Sequence, residues 1–259
     1  MFGAYITDMK IAIIISKKDT AGMNINAHLK DLPDYVSIHL QDNESINCEE
    51  LDRNIRADLF IFATKHKSAT SIPSLSVHTQ GNWNIAEYGG KDHTLAPSPA
   101  LYLKEALKEL EKVNPGGFEI IQECTHHGPD IGKPSMFIEI GSTEVEWILD
   151  KPAVIIAKVI KHLCETKPKI CRTAIGIGGP HHTPNFKKIQ LEQDIAIGHV
   201  CPKYMLEHLT KELIQQALEK TNPKADLILL DWKGLGEHKE SIKQMCDELK
   251  IETKKTQDF

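Results

Sequence analysis

The sequence predicts an α/β protein, a three-layer α/β/α fold around a mostly parallel mixed sheet. Three observations predict it. Runs such as Ile11–Ser16 are continuously apolar and β-branched, as expected of a strand covered on both faces. Between these runs lie stretches with helical apolar spacing and Pro-marked starts. The 259 residues suffice for one large α/β domain or two small ones, and 41% hydrophobic with 26% charged is ordinary for a globular chain. Strands alternating with helices give parallel pairing.

The elements follow in order. Ile11–Ser16 is the first strand, Ala57–Ala63 the second and Leu75–His78 a short third. Ser98-Pro99 caps a helix that runs to about Val113 and stops at Asn114-Pro115-Gly116-Gly117. Phe118–Cys124 and Ser135–Ile140 are the next strands. Lys151-Pro152 opens a helix to about Thr166, apolar at Val154, Ile155, Val159, Ile160 and Leu163. Arg172–Ile177 and Ile195–Val200 follow. Cys201-Pro202 opens a helix to about Lys220, with Leu206, Leu209, Leu213 and Leu218 on one stripe. Asp226–Leu230 is the last strand, and a helix from about Glu237 to Leu249 ends the pattern. The Ser/Asp-rich 41–50 stretch reads as a loop, and no motif accounts for 19–56. Residues 1–8 read as an N-terminal extension, and 9–259 as a single domain.

The formal net charge of -5 argues against a general nucleic-acid coat, because nonspecific affinity comes from neutralising phosphates. No apolar run approaches the roughly 18–20 residues that span a bilayer. The N-terminus shows no secretory pattern. Six scattered cysteines with no C-x-x-C pair suit a reduced, cytoplasmic protein.

The histidines carry the functional signal. Thr125-His126-His127-Gly128-Pro129 and Gly179-Pro180-His181-His182-Thr183 are near mirror images. Each follows a strand and sets an imidazole pair beside Gly and Pro. Imidazole binds metals as a neutral ligand and moves protons near neutral pH. Gly lets the backbone approach a ligand closely, and Pro stiffens the turn. His66, His78 and His199 also lie at strand ends, where open parallel sheets bind ligands. A competing view makes them ordinary loop or core histidines; this weighs more for His199 than for the two pairs, and more still for His66 and His78, which read as substrate-side candidates. Of the remaining six, His28, His39, His93, His162, His208 and His238, most read as solvated surface.

Catalytic zinc takes about three protein ligands and one water, and these histidines with Glu139 and Asp130 can meet that count. Adjacent residues on extended chain point to opposite sides, so each pair divides into one ligand and one proton carrier or substrate contact. The sequence leaves open which is which. Ile175–Gly179 lacks the Lys-Ser/Thr of a phosphate loop. There is no G-x-S-x-G elbow, so a serine nucleophile is disfavoured. Thr125 and Thr183 can orient water or stitch a turn. Lys17, Lys18, Lys65, Lys67, Lys187 and Lys188 are surface cations that can also meet phosphates.

Six ordered segments resemble the archaeal and plant type of D-aminoacyl-tRNA deacylase. They are M-K-I-A-I-I-I-S-x-x-D-x-A-G-x-N-I, S-V-H-T-x-G-N, E-x-T-H-H-G-P, P-S-x-F-I-E-I-G-S-T-x-x-x-W, G-I-G-G-P-H-H-x-P-x-F and G-H-V. The resemblance runs from Met9 to about Leu249. It implies hydrolysis of the ester between a D-amino acid and the 3′-terminal adenosine of tRNA. It also implies dependence on zinc, with up to two ions per chain, and a fold similar to phosphorylases and peptidyl-tRNA hydrolases. On these motifs we assign His126, His181, His199 and Glu139 to metal, and His127 or His182 to proton transfer. Thr125 is assigned to orienting water, and Gly128 with Gly178-Gly179 to the oxyanion. His78, Asn82, Ser98, His66 and Lys187 are assigned to substrate. A monomer acting on the tRNA 3′ end follows, with no protein partner and no membrane. Other readings stay open: a peptidyl-tRNA hydrolase or nucleoside phosphorylase-like enzyme, an iron dioxygenase-like protein, or a non-catalytic metal- or tRNA-binding module.

Overall fold

In the computed structural model, residues 9–259 are described; the predicted extension 1–8 lies outside them. The strands divide into two main sheets rather than one. Strands β1 (Ile11–Ser16), β2 (Val36–Gln41), β3 (Leu59–Lys65), β4 (Ser74–His78), β6 (Glu119–Gln122) and β7 (Ser135–Gly141) form the larger, in the order β2-β1-β3-β7-β4-β6. β4 runs antiparallel to β7, and every other pairing in this sheet is parallel. The smaller sheet is wholly parallel, with β8 (Arg172–Ile177), β9 (Ile195–Cys201), β11 (Leu227–Leu230) and β12 (Glu252–Lys255) in the order β12-β11-β8-β9. Two-residue strands β5 (Ser98–Pro99) and β10 (Thr221–Asn222) pair with each other.

The three-layer expectation holds around the smaller sheet. Helices α6 (Lys211–Lys220) and α7 (Lys239–Leu249) pack on one face through Leu213, Ile214, Leu218 and Ile242. Helix α5 (Pro184–Glu192) covers the other through Phe186 and Ile189. The larger sheet is different. Helices α1 (Thr20–His28), α2 (Ala100–Val113) and α4 (Asp150–Glu165) lie against one face, joined by the one-turn α3 (Glu144–Trp147). The opposite face is covered by loop residues such as Cys48, Ile55 and Ile131, and then by the histidines.

Period-two alternation decides which side chain meets which layer. In β4, Leu75 and Val77 join the helical core, leaving Ser74, Ser76 and His78 for the other face. In β7, Met136, Ile138 and Ile140 join the core, leaving Phe137 and Glu139 opposite. Polar residues in these two strands mark the functional face.

Several local expectations are corrected. Ser98 caps no helix: it lies in β5, and α2 starts at Ala100 without a side-chain cap. Pro202 is extended and is followed by a 3-10 turn, Lys203–His208. Thr210 then caps the shorter α6, its side chain accepting from Leu213 N. The unexplained 19–56 stretch holds α1, capped by Asp19, and the edge strand β2. α1 lacks a strong apolar stripe, and β2 is half exposed, so neither shows a clear period.

Candidate active site

Backbone hydrogen bonds bring the two His-His segments together. Cys124 N donates to His181 O at 2.9 Å, Thr183 N to Gln122 O at 3.0 Å and Thr125 N to Val200 O at 2.9 Å. The end of β6 is thereby stitched to the turn after β8 and to β9. His66 follows β3 and His78 ends β4, and these strands run in opposite directions. The two histidines therefore do not share a sheet rim. They meet across the face of β7, through Glu139.

Three imidazoles, His78, His126 and His127, present ring nitrogens that lie within 4.8 Å of one another. Each has Nδ1 against a backbone carbonyl: His78 on Thr79 at 3.2 Å, His126 on Cys124 at 2.9 Å and His127 on Gly128 at 2.5 Å. A carbonyl only accepts, so Nδ1 carries the proton and Nε2 keeps its lone pair. Burial, with His78 as neighbour, holds His126 well below the usual histidine range and His127 at about 4. His127 adopts φ +42°, a left-handed conformation uncommon outside glycine. Observed at such a site, that local cost fits a side chain fixed for function.

Two buried carboxylates stand beside this group. Glu123 Oε2 lies 2.9 Å from His181 Nε2 and 3.7 Å from His126 Nε2, while Oε1 is 3.2 Å from His66 Nδ1. Glu139 reaches His66 at 3.4 Å, His78 at 3.7 Å and the Ser76 hydroxyl at 3.3 Å. Burial opposes the ionisation of Glu123, but His181 and His66 outweigh it and hold its pKa well below the usual carboxylate range. Glu139 is likewise lowered: burial and Glu123 oppose its charge, and His66 and His78 outweigh them. Burial opposes charge on His66 too, yet Glu123 and Glu139 raise it to about 10. His181 also reaches about 10, burial being outweighed by Cys124 and Glu123. His182, its pKa lowered by burial, stands with its ring centroid 5.7 Å from that of His66.

This donor set fits a divalent cation. Nε2 of His78 and of His66 are buried without hydrogen-bond partners. His78, Glu123 and Glu139, then His66, Glu123 and His182, and also Cys124, His126 and His181, form further groups with the same spacing. Imidazole and carboxylate donors suit zinc, iron and related ions. Imidazoles pinned through Nδ1 on backbone carbonyls are the usual support of a metal-binding histidine.

The structure gathers His66, His78, His126, His127, Glu139, His181 and His182 from the sequence-based set, and it separates the rest. His199 is buried behind Thr125, its Nδ1 3.2 Å from Thr125 Oγ1, and it belongs to none of the ligand groups. Burial lowers its pKa to about 3, so its ring is neutral. Thr125 Oγ1 also accepts from Val200 N at 3.0 Å, a stitch between strands. Neither Gly128 nor Gly178 offers a free N–H to an oxyanion, because each donates to a backbone carbonyl, of Tyr88 and Cys201 respectively. Gly179 is packed against Gly234 and Asp231. Ser98 is buried in β5. The Asn82 amide ties down the Gly89 and Lys91 carbonyls. Lys187 is held by Glu111 and the Ile120 carbonyl, at 2.8 and 2.7 Å, and is not free for phosphate.

Sequence reasoning missed Glu123, the hub of the network, and Tyr204. Glu123 stands in the E-x-T-H-H-G-P segment just after β6, and an acidic residue three positions before the first His pair was the available signal. Tyr204 carried none, because a helix was expected over it.

Fold and site together define an α/β protein with a buried histidine-carboxylate centre between two mostly parallel sheets. The chain belongs to the D-aminoacyl-tRNA deacylase family, whose model matches residues 53–254. It is 36% identical over 270 residues to the D-aminoacyl-tRNA deacylase of Thermococcus kodakarensis, covering 94% of this chain and 98% of that one. The Pyrococcus furiosus D-aminoacyl-tRNA deacylase is 40% identical over 205 residues, covering 78% and 75%. A crystal structure of a conserved protein of unknown function superposes with a TM-score of 0.90 at 28% identity, covering 97% and 96%. Among the described residues no helix is long and apolar enough to cross a membrane.

Proposed function

We propose that this chain hydrolyses the ester between a D-amino acid and the 3′-terminal adenosine of tRNA, releasing free tRNA and D-amino acid. The observation that carries the reading is the trio of imidazoles His78, His126 and His127, whose ring nitrogens gather within 4.8 Å of one another beside two ionised carboxylates. Those three residues, with Glu123 or Glu139, would hold a zinc ion. An ion held there would supply Lewis acidity, enough to bring the pKa of water to about 7.

The rest falls to the protein's own groups. Water adds to the ester carbonyl carbon, and the bond to the ribose oxygen breaks. Both carboxylates are ionised at neutral pH, and whichever of Glu123 and Glu139 does not hold the ion accepts the proton that water gives up. His182, half-buried at the rim, is the proton carrier toward the departing ribose oxygen. The aminoacyl ester is already activated, so positioning and charge stabilisation supply most of the rate. Chiral choice rests on fixing the α-amine while the walls exclude the mirror-image side chain. The same reading places residues 9–259 in one catalytic domain of a cytoplasmic monomer.

The test compares release of D-tyrosine and L-tyrosine from charged tRNA, with and without a chelator. D-tyrosine is released much faster, chelation stops the reaction, and zinc restores it. Equal rates for the two enantiomers would overturn the proposal.

A further inference from the structure

Tyr204 reaches the site from the 3-10 turn Lys203–His208. That turn is anchored to the Gly-Gly-Pro-His-His segment, because Lys203 N donates to Gly179 O at 2.8 Å. The phenol oxygen lies 2.9 Å from His181 Nδ1 and 3.3 Å from Cys124 Sγ. The two rings are nearly parallel, with planes 17° apart. His181 therefore has both nitrogens occupied, Nδ1 by the phenol and, at 3.4 Å, by Cys124 Sγ, and Nε2 by Glu123 Oε2 at 2.9 Å. This differs from His78, His126 and His127, whose Nε2 atoms carry no proton.

The chemistry of the partners explains the difference. An ionised carboxylate only accepts, so Nε2 of His181 must hold a proton. In the neutral ring Nδ1 is then an acceptor and needs a donor beside it. A hydroxyl supplies one, and a backbone carbonyl does not. If Nδ1 is also protonated, the same hydroxyl accepts. Tyr204 thus satisfies His181 in either charge state while Nε2–H stays on Glu123.

The geometry points to Tyr204 as the positioning residue that keeps His181 a hydrogen-bond donor to Glu123 and withholds it from metal ligation. His181 in turn fixes Glu123 Oε2 and leaves Oε1 facing His66. The inference rests on the deacylase reading, but its test separates the two. Tyr204 is 46% exposed, so Tyr204→Phe keeps the fold, as circular dichroism will show. The variant is expected to lose about tenfold in kcat on D-tyrosyl-tRNA, the scale of one lost hydrogen bond, with KM within twofold and bound zinc unchanged. In metal-free, 15N-labelled protein, the His181 imidazole shows a protonated Nε2 in the wild type and in Cys124→Ala. In Tyr204→Phe that Nε2–H signal broadens and shifts, because the ring is no longer held toward Glu123. Loss of a zinc equivalent in Tyr204→Phe would overturn the inference by making His181 or Tyr204 part of the ligand set. So would wild-type kcat with an unchanged Nε2–H signal, or a change of that signal in Cys124→Ala alone. A wild type inactive on D-tyrosyl-tRNA would sink the deacylase reading, and the imidazole spectra would still decide the role of Tyr204.

Discussion

Replacing His199 with Leu tests the burial of this histidine by its pH signature and its place outside the ligand set by zinc content. The ring is fully buried, its Nε2 has no partner, and its Nδ1 meets only Thr125 Oγ1 at 3.2 Å. Burial lowers its pKa from the ordinary 6.5 to about 3. A histidine lowered in the fold is protonated first in the unfolded chain. Its penalty is absent above about pH 6.5, grows as pH falls, and levels off below the folded pKa. At about 1.4 kcal/mol per pH unit, the span from 6.5 to about 3 amounts to about 5 kcal/mol. Down to pH 5 the wild type loses about 2 kcal/mol through this group alone. A leucine side chain at this position fills much of the volume and loses one hydrogen bond, about 1 kcal/mol at pH 7.5. Urea unfolding of metal-free wild type and His199→Leu from pH 7.5 to 4.5 gives two curves that converge near pH 6, below which the variant is the more stable. Slopes common to other histidines cancel in the difference. A difference that stays constant with pH would refute the argument, and loss of a zinc equivalent in His199→Leu would return His199 to the ligand set.

Two further outcomes follow from other parts of the site. Glu123→Gln strands His66 and His181 without their shared carboxylate, so kcat on D-tyrosyl-tRNA is expected to fall at least a hundredfold. Thermal unfolding should show a loss of about 3 kcal/mol, the scale for breaking a buried ion pair; wild-type stability would show the carboxylate to be uncoupled from them. Gly89→Ala would place a Cβ 1.8 Å from the Ile46 carbonyl oxygen at φ +72°. We expect a loss of about 2 kcal/mol or more, together with reduced activity, because the same loop supplies the Tyr88 carbonyl that holds Gly128 beside His127. An unchanged melting temperature would contradict that packing.

The two His-His segments show how far local pattern reaches. Apolar runs and Pro and Gly punctuation located the strands and set both pairs after strands, because those signals depend on near neighbours in the chain. The partition of roles did not follow from them. In the first pair both rings join one trio with His78, since αL backbone at His127 breaks the opposite-sides rule of extended chain. In the second pair His181 turns to Glu123 and Tyr204, residues 58 and 23 positions away.

Strand direction was also beyond reach. The sequence places His66 and His78 after consecutive strands, but only the sheet order reveals that β3 and β4 run opposite ways and meet across Glu139. His199 and Ser98 look as chemical as their neighbours in sequence, yet one is sealed behind Thr125 and the other lies in a two-residue strand. The sequence by itself determined the α/β class, the family and the residue types that carry the chemistry, because periodicity and motif order are written along the chain. The tertiary structure decided which imidazoles keep a lone pair, because each tautomer is set by a carbonyl, carboxylate or hydroxyl that long-range folding brings to the other nitrogen.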